Sequence, residues 1–121
     1  MGPKFRSSLM TVCLLAVFWA GLAQAHAKLV SADPAPDAMT ATPQRIHLEF
    51  SAELAKSFSS FRLTGADGKA IALMPRETPD KKALEAVPTM PLRSGLYTVS
   101  WTAVSTDDAH KTTGSYRFTV Q

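Results

Sequence analysis

From Leu96 to Val104 the chain is dense in β-branched and aromatic residues, and Tyr116, Phe118 and Val120 then alternate with Arg117 and Thr119. That composition and the period of two fit a pleated, half-buried strand. The same alternation marks Ile46 to Phe50 and Phe61 to Leu63. Ala27 to Ala32, Lys69 to Leu73 and Ala83 to Val87 read as further short strands. Asp33-Pro34-Ala35-Pro36-Asp37, Gly65-Ala66-Asp67-Gly68 and the polar, proline-containing run Pro75 to Lys81 read as turns or loops between them. Lys56 to Ser60 fits one helical turn. About seven short strands predict an all-β chain, an antiparallel β-sandwich with Greek-key connections. Phe50, Phe61, Leu63, Trp101, Tyr116 and Phe118 are the expected core, each worth roughly 1.5–3 kcal/mol if fully buried.

The amino terminus does not belong to this pattern. Lys4 and Arg6 precede an apolar stretch from Leu9 to Leu22, and Ala23-Gln24-Ala25 offers small residues where a signal peptidase reads. Residues 1–25 are therefore expected to be a secretory signal, with residues 26–121 as one domain. The apolar stretch is short for a membrane span, so the mature chain is expected not to span a membrane. Val12 before Cys13 does not suit a lipid anchor.

Export changes the composition that matters. The net charge of +3 includes Lys4 and Arg6, so the mature chain falls near +1 and is barely basic. No basic stripe with interleaved aromatics is present, which argues against nucleic acid. Cys13 is the one cysteine. It leaves with the signal, so the mature domain has neither a disulfide nor a thiolate to offer a metal.

Cleavage after Ala25 makes His26 the new terminus, where one residue carries an α-amine and an imidazole that can chelate one ion together. His110 follows Asp107-Asp108-Ala109 in the connection between the last two strands. If the first and last strands lie side by side and parallel, His26 and that loop meet at one end of the domain. The donor set would be the amine and imidazole of His26, the imidazole of His110 and a carboxylate. Three nitrogens and an oxygen suit Cu(II) in a tetragonal arrangement. An extended loop would point Asp108 and His110 the same way; a turned loop would bring Asp107 instead. His47, between Ile46 and Leu48, is expected to face solvent.

These features resemble the CopC family of exported copper-resistance and copper-homeostasis proteins. The resemblance runs over residues 26–121, through His26-Ala27-Lys28-Leu29, Ser31-Ala32-Asp33-Pro34-Ala35, Phe50-Ser51-Ala52-Glu53-Leu54 and Phe58-Ser59. It is strongest from Gly95-Leu96-Tyr97-Thr98-Val99 and Trp101 through Val104-Ser105, Asp-x-His and Gly114 to Phe118-Thr119-Val120. It implies an immunoglobulin-like Greek-key sandwich that binds Cu(II) through His26, His110 and Asp108. The stretch from Ser105 to His110 is one residue longer than the family's usual spacing. Counting forward from Trp101 selects Asp107, and counting back from His110 selects Asp108. The resemblance also implies a periplasmic location and a CopD-type membrane copper transporter as a partner.

Some family members carry a methionine-rich segment for Cu(I). Here only Met39, Met74 and Met90 remain after cleavage, widely spaced, so a Cu(II)-only protein is expected. The expected role is a copper carrier or scavenger and not an enzyme. Two other classes compete: a small copper-brace oxidative enzyme, and a metal-free sandwich module that contacts other proteins. Spectra with Cu(II), oxygen consumption with a polysaccharide, and the mass of the secreted chain separate the three.

Overall fold

The computed structural model describes residues 26–121; the expected signal segment, residues 1–25, lies outside the described residues. Two sheets face each other. One has the order β1 (Leu29–Asp33), β3 (Ile46–Phe50), β7 (Ala83–Pro88), β6 (Leu73–Arg76), all antiparallel. The other has the order β2 (Met39–Thr40), β9 (Lys111–Val120), β8 (Gly95–Val104), β4 (Ser60–Gly65), β5 (Ala70–Ile71). The expected helical turn is a short 3-10 segment, Lys56–Phe58. Among the described residues no helix is long and apolar enough to cross a membrane.

The core is what the alternation supplies. Ile46, Leu48 and Phe50 of β3 face Leu63 of β4, Tyr97, Val99 and Ala103 of β8, and Tyr116, Phe118 and Val120 of β9, all buried in one apolar cluster. Phe61 and Trp101, expected in the core, are only partly buried and pack against that cluster. Trp101 meets Phe50 edge-on, ring centroids 5.2 Å apart, and its indole lies over Gly114, its partner on β9, where a Cβ would collide with the ring. Tyr97 closes the start of β8 by donating its hydroxyl to the Arg93 carbonyl at 2.7 Å, a corner contact found in immunoglobulin-like sandwiches.

Several expectations about the strands need correction. The strand parallel to β9 is not the first strand but β2, with Met39 opposite Thr119; β1 pairs antiparallel with β3. Pro34 and Pro36 cannot donate to a ladder, so the chain leaves one sheet between β1 and β2 and joins the other. Tyr116 donates to the Pro34 carbonyl at 2.9 Å and pins that crossing. The stretch Lys69 to Leu73 is two strands, because β5 and β6 lie in different sheets and the chain changes sheet at Ala72. Pro75 and Arg76 belong to β6 and not to a loop; β6 is an edge strand, where a proline is tolerated. With β2 and the split strand the total is nine rather than about seven, and β9 begins at Lys111, well before Tyr116.

Candidate metal centre

His26 and His110 come from opposite ends of the domain, and side-chain hydrogen bonds rather than a strand ladder join them. Ala27, fully buried, anchors the entering chain. Thr112 of β9, two residues past His110, donates its hydroxyl to the Ala27 carbonyl at 2.7 Å. Ser51, just past β3, accepts from the Lys28 amide at 2.9 Å and donates to the His26 carbonyl at 3.2 Å. These stitches hold His26 beside the β8–β9 connection without the parallel pairing the sequence suggested.

That connection is a tight turn, not an extended loop. The Ala109 amide donates to the Ser105 carbonyl at 3.0 Å and the Ser105 amide to the His110 carbonyl at 3.3 Å. Ala109 sits at φ 54°, a left-handed position uncommon for a residue with a side chain. The His110 amide donates to Asp108 Oδ1 at 3.0 Å, and the Asp107 amide donates to Ser105 Oγ at 3.2 Å.

The geometry that results is compact. The His26 and His110 rings lie 4.2 Å apart, centroid to centroid, with a 37° tilt. Asp108 Oδ2 stands 3.4 Å from His26 Nδ1. Asp107 is exposed and takes part in no ion pair among the described residues. A turn was expected to favour Asp107; the turn forms, yet Asp108 is the carboxylate beside His26, because its other oxygen caps the His110 amide. That amide holds the Asp108 carboxyl below the usual range against an opposing effect of burial, and the two imidazoles add smaller lowering contributions.

The side chains of His26 and Asp108 are 47% and 31% exposed, so an ion could reach them from water. Among the described residues no three imidazole, thiol or carboxylate groups already surround one point. Imidazole lone pairs lie in the ring planes. Rings that face each other at this tilt must turn about their Cβ–Cγ bonds before both nitrogens face one ion. A groove of about 770 Å³ opens elsewhere, between β4–β5 and β6–β7, and none of these three residues lines it.

His47 departs from expectation. It points to the outer face of its sheet, as alternation requires, but its side chain is only 20% exposed. Its Nδ1 is 2.9 Å from Glu85 Oε1 on β7, and its Nε2 is 3.3 Å from Glu49 Oε1 on its own strand. Glu85 was not singled out in the sequence, because its place opposite His47 depends on cross-strand register. The i, i+2 spacing of His47 and Glu49 was the one available signal.

An immunoglobulin-like sandwich with two histidines and an aspartate gathered at one end defines a small class of β domain. A model of the CopC domain matches residues 29–121, and the chain belongs to the CopC family. It is 37% identical to copper resistance protein C of Pseudomonas syringae pv. tomato, over 96% of this chain and 97% of that protein. Among solved structures, PcoC, a methionine-rich copper resistance protein from Escherichia coli, superposes with a TM-score of 0.73 at 38% identity, covering 80% of this chain and all of that one. CopC from Methylosinus trichosporium OB3b does so with 0.71 at 28% identity, covering 79% and 94%.

Proposed function

We propose that this protein is exported to the periplasm, loses residues 1–25, and binds Cu(II) through the new His26 terminus, the His110 imidazole and the Asp108 carboxylate. It serves copper resistance, homeostasis or delivery to a CopD-type membrane transporter, and acts by binding without catalysis. The observation that carries this reading is the meeting of His26, His110 and Asp108. The copper-resistance relatives support the choice of metal.

In the chain as translated, the His26 nitrogen is an amide bonded to Ala25. Cleavage turns it into an amine with a pKa of about 7.7–8.0. The tetragonal nitrogen-rich set preferred by Cu(II) is complete only then. Binding displaces the ammonium proton and so weakens in acid.

Met39, Met74 and Met90 support Cu(II) over Cu(I). They are 68%, 61% and 74% exposed, and Met39 and Met74 lie on edge strands of different sheets. Soft thioether donors so dispersed do not offer Cu(I) a common site.

The test is a Cu(II) titration, followed by visible and electron spin resonance spectra, of two proteins. One starts at His26 and the other carries one extra residue before it. The first is expected to show one tight nitrogen-rich site. The second should bind at least about a hundredfold more weakly, about 2.8 kcal/mol. Equal affinity and equal spectra would overturn the reading.

A further inference from the structure

The outer face of the β1–β3–β7–β6 sheet carries a second arrangement of imidazole and carboxylates, distinct from the end of the domain. Asp33, His47, Glu85 and Arg76 stand opposite one another in register across its four strands. Arg45 Nη1 donates to Glu85 Oε1 at 2.6 Å. With that guanidinium beside it, Glu85 is an ionised acceptor, so His47 Nδ1 must carry the hydrogen that faces it at 2.9 Å. That fixes the ring. On its far side Nε2 faces Glu49 Oε1 at 3.3 Å. The other oxygen of Glu49 accepts from the Ser31 hydroxyl at 3.2 Å, so this carboxylate is oriented as well.

With Nδ1 turned to Glu85, Nε2 is the ring nitrogen left to face the Glu49 oxygen. Either a proton on Nε2 or a metal ion closes that gap. The spacing suits a metal ion. Donors about 2.0–2.1 Å from a zinc ion lie about 3.3 Å apart at the tetrahedral angle and only about 2.9 Å apart at a right angle. The orienting shell is also of the right kind: a metal-bound histidine usually gives its other N–H to a carboxylate, which fixes the tautomer.

We propose that His47 Nε2 and Glu49 Oε1 are the protein ligands of a second, weaker site for a tetrahedral divalent ion such as zinc, with Glu85 the residue that positions the His47 ring. Water fills the remaining positions, which the 44% exposure of the Glu49 side chain allows. The carboxylates of Asp33, Glu49 and Glu85 outnumber the neighbouring guanidinium groups of Arg45 and Arg76. The site shares no residue with the His26 cluster and does not depend on the copper reading.

The test is zinc alone, added to the protein that starts at His26. It is read by the nitrogen resonances of the His47 ring and by calorimetric stoichiometry. Zinc should move Nε2 and not Nδ1. His47→Gln and Glu49→Gln should each remove one zinc equivalent, while His110→Ala leaves that equivalent in place. Glu85→Gln keeps both ligands and should weaken it about 10- to 100-fold. An Nε2 resonance indifferent to zinc would mean that only a proton occupies the gap, and the proposal would fail. An unchanged stoichiometry in His47→Gln would overturn it equally.

Discussion

The two histidine clusters are built by different physics. The cluster at the end of the domain joins a terminus to a turn through Thr112, Ser51 and one capped carboxylate. The cluster on the sheet is set by ladder register, with His47 directly opposite Glu85. The difference shows in exposure: 47% and 31% for the side chains of His26 and Asp108, against 20% and 14% for His47 and Glu85. Groups on a terminus and a turn can rotate onto an ion and off again at small cost. Groups on a sheet face arrive already oriented. A carrier that must give up its cargo is better served by the first arrangement, and a site with a fixed bite by the second.

The largest expected effect breaks the support of one cluster while sparing the other. Gly114 lies under the Trp101 indole, in the β8–β9 hairpin whose connection carries Asp108 and His110. Gly114→Val puts a branched side chain where even a Cβ collides with the ring. Overpacking of this kind costs about 1–3 kcal/mol, and each kcal/mol lowers Tm by about 4–8 °C in a domain of this size. Thermal unfolding measures the loss. In the folded protein the ring resonances of His110 should move and those of His47 should not; equal movement would mean that the clusters are not structurally independent.

The next effect resolves the ambiguous aspartate. Asp108→Asn should weaken Cu(II) binding about tenfold, 1.4 kcal/mol, whereas Asp107→Asn should change it less than about twofold. A reversed ranking, measured by competition with a chelator of known affinity, would mean that the turn rearranges around the ion.

The two clusters also differ in how far they were legible in the sequence. The sandwich was legible because burying alternate side chains leaves a direct trace: Ile46, Leu48 and Phe50 are buried, and His47 and Glu49 are not. The end cluster was half legible. An Asp-x-His turn and a histidine behind a cleavage signal are local patterns, but the strand pairing invoked to join them was wrong. Two residues suffice for β2, too few for a period to show. The stitches from Thr112 and Ser51 come from hydroxyls that look like any polar residue beside a strand. The sheet cluster was not legible, since nothing local in Ala83 to Pro88 says that Glu85 will stand opposite His47. Sheet changes at Ala72 and after Asp33 were hidden for the same reason: each depends on which edge is free to receive the chain.

Thr112→Val tests one of those stitches. Valine keeps the shape and the β propensity and removes only the hydroxyl that donates to the Ala27 carbonyl. A partly buried acceptor left without its partner costs about 1 kcal/mol. Part of that loss should appear as faster copper release, because His26 is then less firmly held beside His110. Stability and release rate measured on the same protein separate the two. A stability loss with unchanged release would confine Thr112 to the fold, and the end cluster would then owe its position to Ser51 and the buried Ala27 alone.

The smallest effect concerns the sheet cluster in acid. The hydrogen bond from His47, then that from Arg45, holds the Glu85 carboxyl below its ordinary value of 4.5, against a smaller opposing effect of burial. A carboxyl whose pKa is lowered by folding stabilises the native state at pH values above the unfolded pKa. That contribution is lost as the pH falls through the folded value. Wild type and Glu85→Gln should therefore differ most near neutrality and converge below pH 4.5. The pair is near the surface and screened by solvent, so the difference should stay below about 1 kcal/mol and shrink with added salt. Denaturant unfolding across that pH range measures it. A difference that persists unchanged in acid would show that Glu85 stabilises by packing rather than by charge, and the view of the sheet cluster as an electrostatically oriented imidazole would lose its support.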